Sequence, residues 1–392
     1  MSGFDVIIIG AGAAGLMCAI EAAKRGRSVL ILEKSNKVGK KILMSGGGRC
    51  NFTNIHTSPE QFISNNAHFC KSALSRYTQW DFINLVEKHS IAYFEKTLGQ
   101  LFCEDKSALI VEMLLKECAD LRVAIHLNQS ISQVNKGENG FVVQVNHISH
   151  HCESLVVASG GLSIPTLGSS PFGYQLAAQF GLKVYPLRAG LVPFTLHLQD
   201  KARFESLAGI SIEALVSCRG KSFREQLLFT HRGLSGPVML QISSYWYPGD
   251  RLSIRFLPTV DLHQALLLAR GQSPNVGLKT FLSSFAAKRL LDVLYTPEQL
   301  VMPLKQFTDK AFLTVANQLQ DFSITPNATE GYRTAEVTLG GVDCNEICSK
   351  RFEAKQVPGL FFVGEVLDVT GWLGGYNFQW AWSSGWAAGQ VV

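Results

Sequence analysis

Phe4-Asp5-Val6-Ile7-Ile8-Ile9-Gly10-Ala11-Gly12-Ala13-Ala14-Gly15 decides the fold. Phe4 to Ile9 is a short apolar, β-branched run, Ala13 to Arg25 has helical composition, and Ser28 to Leu32 is apolar again, which predicts strand, helix, strand. Gly10, Gly12 and Gly15 fall where that unit turns from strand into helix. Gly10 permits the tight turn, Gly12 lets backbone approach a pyrophosphate, and Gly15 lets helix and strand pack closely. The helix N-terminus, with Ala11, Ala13 and Ala14 completing the loop, offers amides and a positive dipole to the phosphates. Glu33 ends the second strand, where a carboxylate accepts hydrogen bonds from ribose hydroxyls. An acid there disfavours a 2′-phosphate, leaving FAD or NAD rather than NADP. The competing reading is a glycine-rich helix start that packs tightly and binds nothing.

The choice between the two dinucleotides comes from further along. Lys34, Lys37, Lys40 and Lys41 lead into Met44-Ser45-Gly46-Gly47-Gly48-Arg49-Cys50-Asn51. Three successive glycines let backbone amides crowd around an anionic or flat cofactor. The lysines either neutralise phosphates or form a solvated face. A buried strand over Ser154 to Ser159 runs into Gly160 and Gly161, so Ser159, Gly160 and Gly161 are assigned to the same crevice. Leu360-Phe361-Phe362-Val363-Gly364-Glu365 followed by Asp368 predicts a strand returning to the first sheet with a carboxylate suited to a ribityl chain or the pyrophosphate. Gly374-Gly375-Tyr376-Asn377-Phe378 then opens a helix to about Gly389, whose first amides are placed at the N1/O2 edge of a flavin ring. Trp380, Trp382 and Trp386 read mainly as core.

Three blocks carry a resemblance. Lys40 to Asn54, Phe229-Thr230-His231-Arg232-Gly233-Leu234-Ser235-Gly236-Pro237, and Gly364 to Asp368 with Gly374 to Trp382 are similar to the BaiN/YhiN-like bacterial flavoproteins, often labelled aminoacetone oxidase family FAD-binding enzymes. The resemblance spans essentially the whole chain. It implies a glutathione-reductase-like FAD domain interrupted by an insert with a β part and a helical part. Amine oxidation and NAD(P)H-linked reduction are both attached to members. One stretch departs from the family pattern: Val369-Thr370-Gly371-Trp372-Leu373 replaces an acidic, small-residue segment, which bears on any carried-over substrate.

The fold class expected is therefore α/β, a Rossmann-type FAD-binding domain with an inserted mixed domain. Its first part covers 1–186, the insert 187–333 (β part about 187–258, helical part about 259–325), and its second part 334–392. Leu191 to Leu196, Ile212 to Ser217 and Leu252 to Phe256 read as strands of the insert, and Asp261 to Leu294 as helical. A chain of 392 residues with 46% hydrophobic and 17% charged residues is globular and long enough to bury a large cofactor. Nine scattered cysteines without a C-x-x-C pair favour a reduced, cytoplasmic setting. The uncharged runs Val6 to Ile20 and Val369 to Val392 are respectively too short and too rich in glycine, Asn and Ser for membrane spans. A formal charge of +5 gives no strong reason to expect nucleic acid.

Weaker signals are assigned bland roles. His147, His150, His151 and Cys152 read as a polar hairpin edge rather than a metal site. Cys50, beside the cation Arg49, has the setting of a low-pKa redox thiol but no second cysteine nearby, and reads as packing against the cofactor loop. His231 is given no catalytic role, and no catalytic acid or base is assigned. The expected activity is hydride transfer between a small organic substrate or NAD(P)H and FAD, with reoxidation by oxygen or an organic acceptor. A flavin enzyme acting on RNA and a flavin redox sensor without turnover are the alternatives. No second G-x-G-x-x-G follows a strand, so a dedicated nicotinamide domain is not expected and NAD(P)H is retained only as a candidate donor. Substrate and oligomeric state stay open.

Overall fold

Val6, Ile7, Ile8 and Ile9 are all buried, so the strand that carries them, β1 (Ser2–Ile9), is covered on both faces. A strand apolar on both sides belongs inside a parallel sheet flanked by helices. The computed structural model describes residues 2–392, and such a sheet is its centre. The other strands are β2 (Val29–Leu32), β3 (Ala124–His126), β4 (Ile131–Gly137), β5 (Gly140–Val145), β6 (Ile148–Val157) and β7 (Leu360–Phe362). β1 lies between β2 and β6, with β3 beyond β2 and β7 beside the C-terminal half of β6, all parallel. β4 and β5 form a hairpin whose second strand runs antiparallel to the N-terminal half of β6. The α/β Rossmann-type class expected from the opening motif is what the chain adopts.

Helix α1 (Ala13–Lys24) follows β1, the short α2 (Lys40–Met44) follows β2, and α3 (Tyr376–Gly389) closes the chain. α3 carries a glycine where it meets α1. A Cβ on Gly385 would stand 2.4 Å from the Ala14 carbonyl oxygen, so α1 and α3 meet at backbone contact. Arg25 then donates to the Gly389 and Val392 carbonyls at 3.1 and 2.7 Å, tying the chain's end to α1. Trp382 stacks on Phe82 with centroids 4.2 Å apart and donates to the Phe52 carbonyl, while Trp380 donates to the Gly364 carbonyl. Both rings are core, and both indole N–H groups are satisfied, as buried indoles require.

The chain divides into two compact units, Met1–Arg188 with Val337–Val392, and Ala189–Glu336. The second unit holds a seven-stranded antiparallel sheet in the order Phe322–Ile324, Leu252–Phe256, Ser211–Cys218, Lys221–Phe229, Gly233–Ser235, Phe194–Thr195, Ala328–Thr329. Of Leu191 to Leu196 only Phe194–Thr195 is strand, and Lys221–Phe229 is a strand the sequence did not single out. Its first six residues include Lys221, Arg224, Glu225 and Gln226, so the apolar alternation that marks a strand begins late. Helices Leu198–Phe204, Pro237–Ser243, Leu262–Gln272, Leu278–Leu282, Lys288–Leu294, Pro297–Val301 and Asp309–Gln320 belong to the same unit. No helix among the described residues is long and apolar enough to cross a membrane.

Candidate functional site

β1 is the point where the chain's crossovers change direction: β2 and β3 lie to one side, β6 and β7 to the other. Ligands of open α/β sheets bind in the crevice outside the carboxyl ends of the strands at such a switch point. Gly10 makes the turn there with φ +108°, its N–H donating to the Leu32 carbonyl at 2.9 Å. A Cβ on Gly15 would lie 2.0 Å from the Gly10 carbonyl oxygen, so α1 starts in contact with the turn. Gly12 caps α1 in an extended conformation, and the space its Cβ would enter holds no atom within 4 Å. Ala11 and Ala14 are buried and Ala13 half-buried, leaving the backbone of the loop as the surface on offer. Glu33 accepts from the Ala11 N–H at 2.7 Å and the Ser35 N–H at 2.6 Å, one on each oxygen. Those bonds orient the carboxylate, and each oxygen keeps a second lone pair for a ribose hydroxyl. Lys34 is exposed and Lys40 half-buried at the start of α2.

A second wall forms beyond β6. Ser159 Oγ is buried without a hydrogen-bond partner at the strand's carboxyl end, followed by Gly160 and the buried Gly161. Lys41 Nζ reaches across from α2 to donate to Ser163 Oγ at 2.6 Å and Glu365 Oε2 at 2.7 Å. Glu365 Oε1 accepts from the Thr338 N–H at 3.0 Å, and Thr338 Oγ1 accepts from the Leu162 N–H at 2.8 Å. Glu365 follows Gly364, which is buried against α1 after β7. Asp368 turns the other way: it is 5% exposed and its Oδ2 accepts both the N–H and the Nδ2 of Asn65. Burial pushes its carboxyl above the usual carboxylate range.

The third wall joins the glycine loop to α3. Gly46 and Gly47 take φ of +58° and +66°, and Gly47 and Gly48 face open space, whereas a Cβ on Gly46 would strike the Phe102 ring. Ser45 Oγ donates to the Ile42 carbonyl, and exposed Arg49 lies over the Phe94 ring at 5.9 Å. Asn51, with its amide oxygen towards α3, accepts from the Gly375 N–H at 3.1 Å. A Cβ on Gly375, whose φ is +98°, would lie 2.3 Å from the Thr53 carbonyl oxygen, and Asn54 donates to the Gly374 carbonyl. The paired glycines therefore have a packing reason. Asn377 brackets the departing segment, accepting from the Gly371 N–H and donating to the Gly371 and Trp372 carbonyls. Tyr376 is buried beside Phe62, and Phe378 is half-buried against Trp382.

Cys50 is fully buried, and burial pushes its thiol up to about 12 despite the neighbouring Arg49. It is expected to resist iodoacetamide in the folded protein at pH 8 and to react only after denaturation, read by mass spectrometry of the peptide; modification of the native protein would show an accessible thiolate. His150 is buried in β6, and among the described residues no group of three His, Cys, Asp or Glu is placed to hold a metal ion. His231 is exposed at a turn that Thr230 and Gly233 close with mutual backbone bonds.

Ser163 and Thr338 were not predicted from the sequence. Ser163 lies two residues beyond the Gly160-Gly161 pair and was within reach of the same argument. Thr338 carries no local signal. The open space at Gly12 and the unpartnered Ser159 Oγ fit a dinucleotide with a pyrophosphate at α1.

The family described as HI0933-like protein Rossmann domain matches residues 4–391. The chain belongs to this family. The HI0933-like chain is an enzyme of a flavoprotein oxidoreductase family, as the resemblance to the BaiN/YhiN-like proteins implied. It is 55% identical over 392 residues to a protein of Escherichia coli K12 named ribosomal RNA dihydrouridine synthase, covering 100% of this chain and 98% of the relative. It is 52% identical over 390 residues to a protein of the same name from Haemophilus influenzae, covering 97% and 96%. Among solved structures, a 3-ketosteroid-delta4-(5alpha)-dehydrogenase from Rhodococcus jostii RHA1 superposes with TM-score 0.50 at 13% identity, covering 99% of this chain and 97% of that one. At that identity the likeness shows the fold alone.

Two expectations are corrected by these relatives. Small-substrate or NAD(P)H-linked hydride transfer was the activity expected, and both near relatives are named for an RNA modification instead. Nucleic acid was not expected as a partner, and the same names overturn that exclusion. The physical reason is that a formal charge of +5 averages over the whole surface and says nothing about where cations gather.

Proposed function

We propose that this protein is a flavin-dependent enzyme that reduces uridine to dihydrouridine in ribosomal RNA. The observation that carries the reading is full-length identity of 55% and 52% to proteins of that name. The dinucleotide-shaped switch point supports it. Saturating the C5–C6 bond of the base takes a hydride and a proton, and FAD in its reduced form supplies the hydride when bound. Backbone at Gly10 and Gly12 holds the pyrophosphate, and Glu33 holds the adenosine ribose. The segment from Gly374 to Phe378 at the N-terminus of α3 would hold the flavin ring, where the helix dipole favours negative charge. Lys41 carries a proton on Nζ between Ser163 and Glu365, and we assign it the delivery of that proton to the base.

The test uses the whole chain loaded with FAD, reduced anaerobically with dithionite and mixed with ribosomal RNA transcribed without modification. Dihydrouridine is expected among the digested nucleosides, with the flavin band near about 450 nm returning as it forms. A reduced, bound flavin that leaves every uridine intact would overturn the reading.

A further inference from the structure

The outer face of the inserted unit's sheet is polar and carries two arginines. Residues 189–336 contain fifteen Lys and Arg against twelve Asp and Glu, a net charge of +3. Strands Ser211–Cys218, Lys221–Phe229 and Leu252–Phe256 alternate, burying Ala214, Val216, Leu227, Ile254 and Phe256 on the inner side. The outer side presents Ser217, Ser222, Arg224, Gln226, Ser253 and Arg255. Cross-strand register sets Leu215 opposite Arg224 on one neighbour and Arg255 on the other, so the two guanidinium-bearing residues flank one central position. Ser217 stands in the same way between Ser222 and Ser253.

The rim extends the pattern. Arg251 donates to Ser323 of the edge strand. Arg219 sits at the hairpin end, 4.8 Å from the Tyr247 ring. Tyr247 is 47% exposed. Glu213 pairs with Arg224 at 2.9 Å, and Asp250 with Arg219 at 3.4 Å. Arg255 pairs with no carboxylate among the described residues.

A face of this kind is poorly suited to an apolar helix, since only Leu215 and Leu228 interrupt it. Guanidinium forks match phosphates bidentately, and hydroxyls donate to phosphate and sugar oxygens. We infer that the outer sheet face of the inserted unit is the surface on which ribosomal RNA lies, with Arg224 and Arg255 as its phosphate contacts. This rests on the RNA reading above.

Filter retention of a ribosomal RNA transcript, measured over a salt series on the FAD-loaded full chain, tests it. The double variant Arg224→Ala/Arg255→Ala is expected to bind about ten-fold more weakly, with the logarithmic salt slope shallower by about two. Its flavin spectrum and melting temperature are expected to match the wild type, both side chains being exposed. Lys288→Ala/Lys310→Ala removes the same charge from exposed positions of the helical part and is expected to bind like the wild type. Equal losses in the two variants, or none in the first, overturn the assignment of this face. A wild type that forms dihydrouridine while the first variant binds normally overturns the face alone; a wild type that retains no ribosomal RNA overturns the RNA reading with it.

Discussion

Gly15→Ala is expected to destabilise the protein by about 3 kcal/mol and to abolish flavin retention. The new Cβ would lie 2.0 Å from the Gly10 carbonyl oxygen and 3.3 Å from Ala158 Cβ. Neither neighbour is the free end of a flexible side chain. The Gly10 peptide is held by its own N–H on the Leu32 carbonyl, and Ala158 by its N–H on the Ile9 carbonyl, both at 2.9 Å. Relief requires α1 to move away from β1 and β6, and the crevice opens with it. Gly12→Ala separates structure from binding. Its Cβ enters open space, and a φ of −87° suits any residue, so stability in the absence of flavin is expected to stay within about 0.5 kcal/mol of wild type. FAD affinity is expected to fall at least about ten-fold, because the methyl group would stand where we propose that the pyrophosphate approaches the loop. Urea denaturation and fluorescence titration with FAD read the two effects separately. Undiminished FAD affinity in Gly12→Ala would place the pyrophosphate elsewhere.

Lys41→Met is expected to slow dihydrouridine formation by about 100-fold, the range a positioned proton donor supplies. Its effect on stability is expected to be small. The Lys41–Glu365 pair is 33% and 19% exposed at its two side chains, where an ion pair contributes about 1 kcal/mol or less. Glu365 keeps its bond from the Thr338 N–H, and the methionine stem preserves the packing of α2. Single-turnover reoxidation of the reduced flavin by RNA is the informative readout. A variant that keeps its flavin and turns over at the wild-type rate would remove Lys41 from proton delivery. Loss of flavin instead would give Lys41 a cofactor-holding role.

Parts of this architecture were readable before any tertiary structure. The strand β1, the turn at Gly10 and helix α1 are encoded within two dozen residues by apolar run, glycine spacing and small helical residues, and each feature depends only on near neighbours. Phe361 and Phe362 announced a buried parallel strand for the same reason, and β7 lies there. The inserted unit was harder. Lys221–Phe229 mixes charged and apolar residues because one of its faces meets solvent and the other the core, and alternation that begins late is a weak signal.

What the sequence by itself determined is the dinucleotide-type βαβ unit and the sheet it belongs to, since a glycine turn between a doubly buried strand and a small-residue helix admits few other folds. The tertiary structure alone decided which polar groups meet. Lys41, Ser163, Thr338 and Glu365 are brought together from positions up to 324 apart in sequence. Glu365 and Asp368 are only three residues apart after one strand, yet the tight turn Gly364–Val366 sends the first towards Lys41 and the second into a buried contact with Asn65. The basic sheet face is likewise invisible to a net charge, because Arg224 and Arg255 become neighbours of one residue only through strand pairing. Long-range pairing is a property of the whole chain's packing, and no local pattern records it.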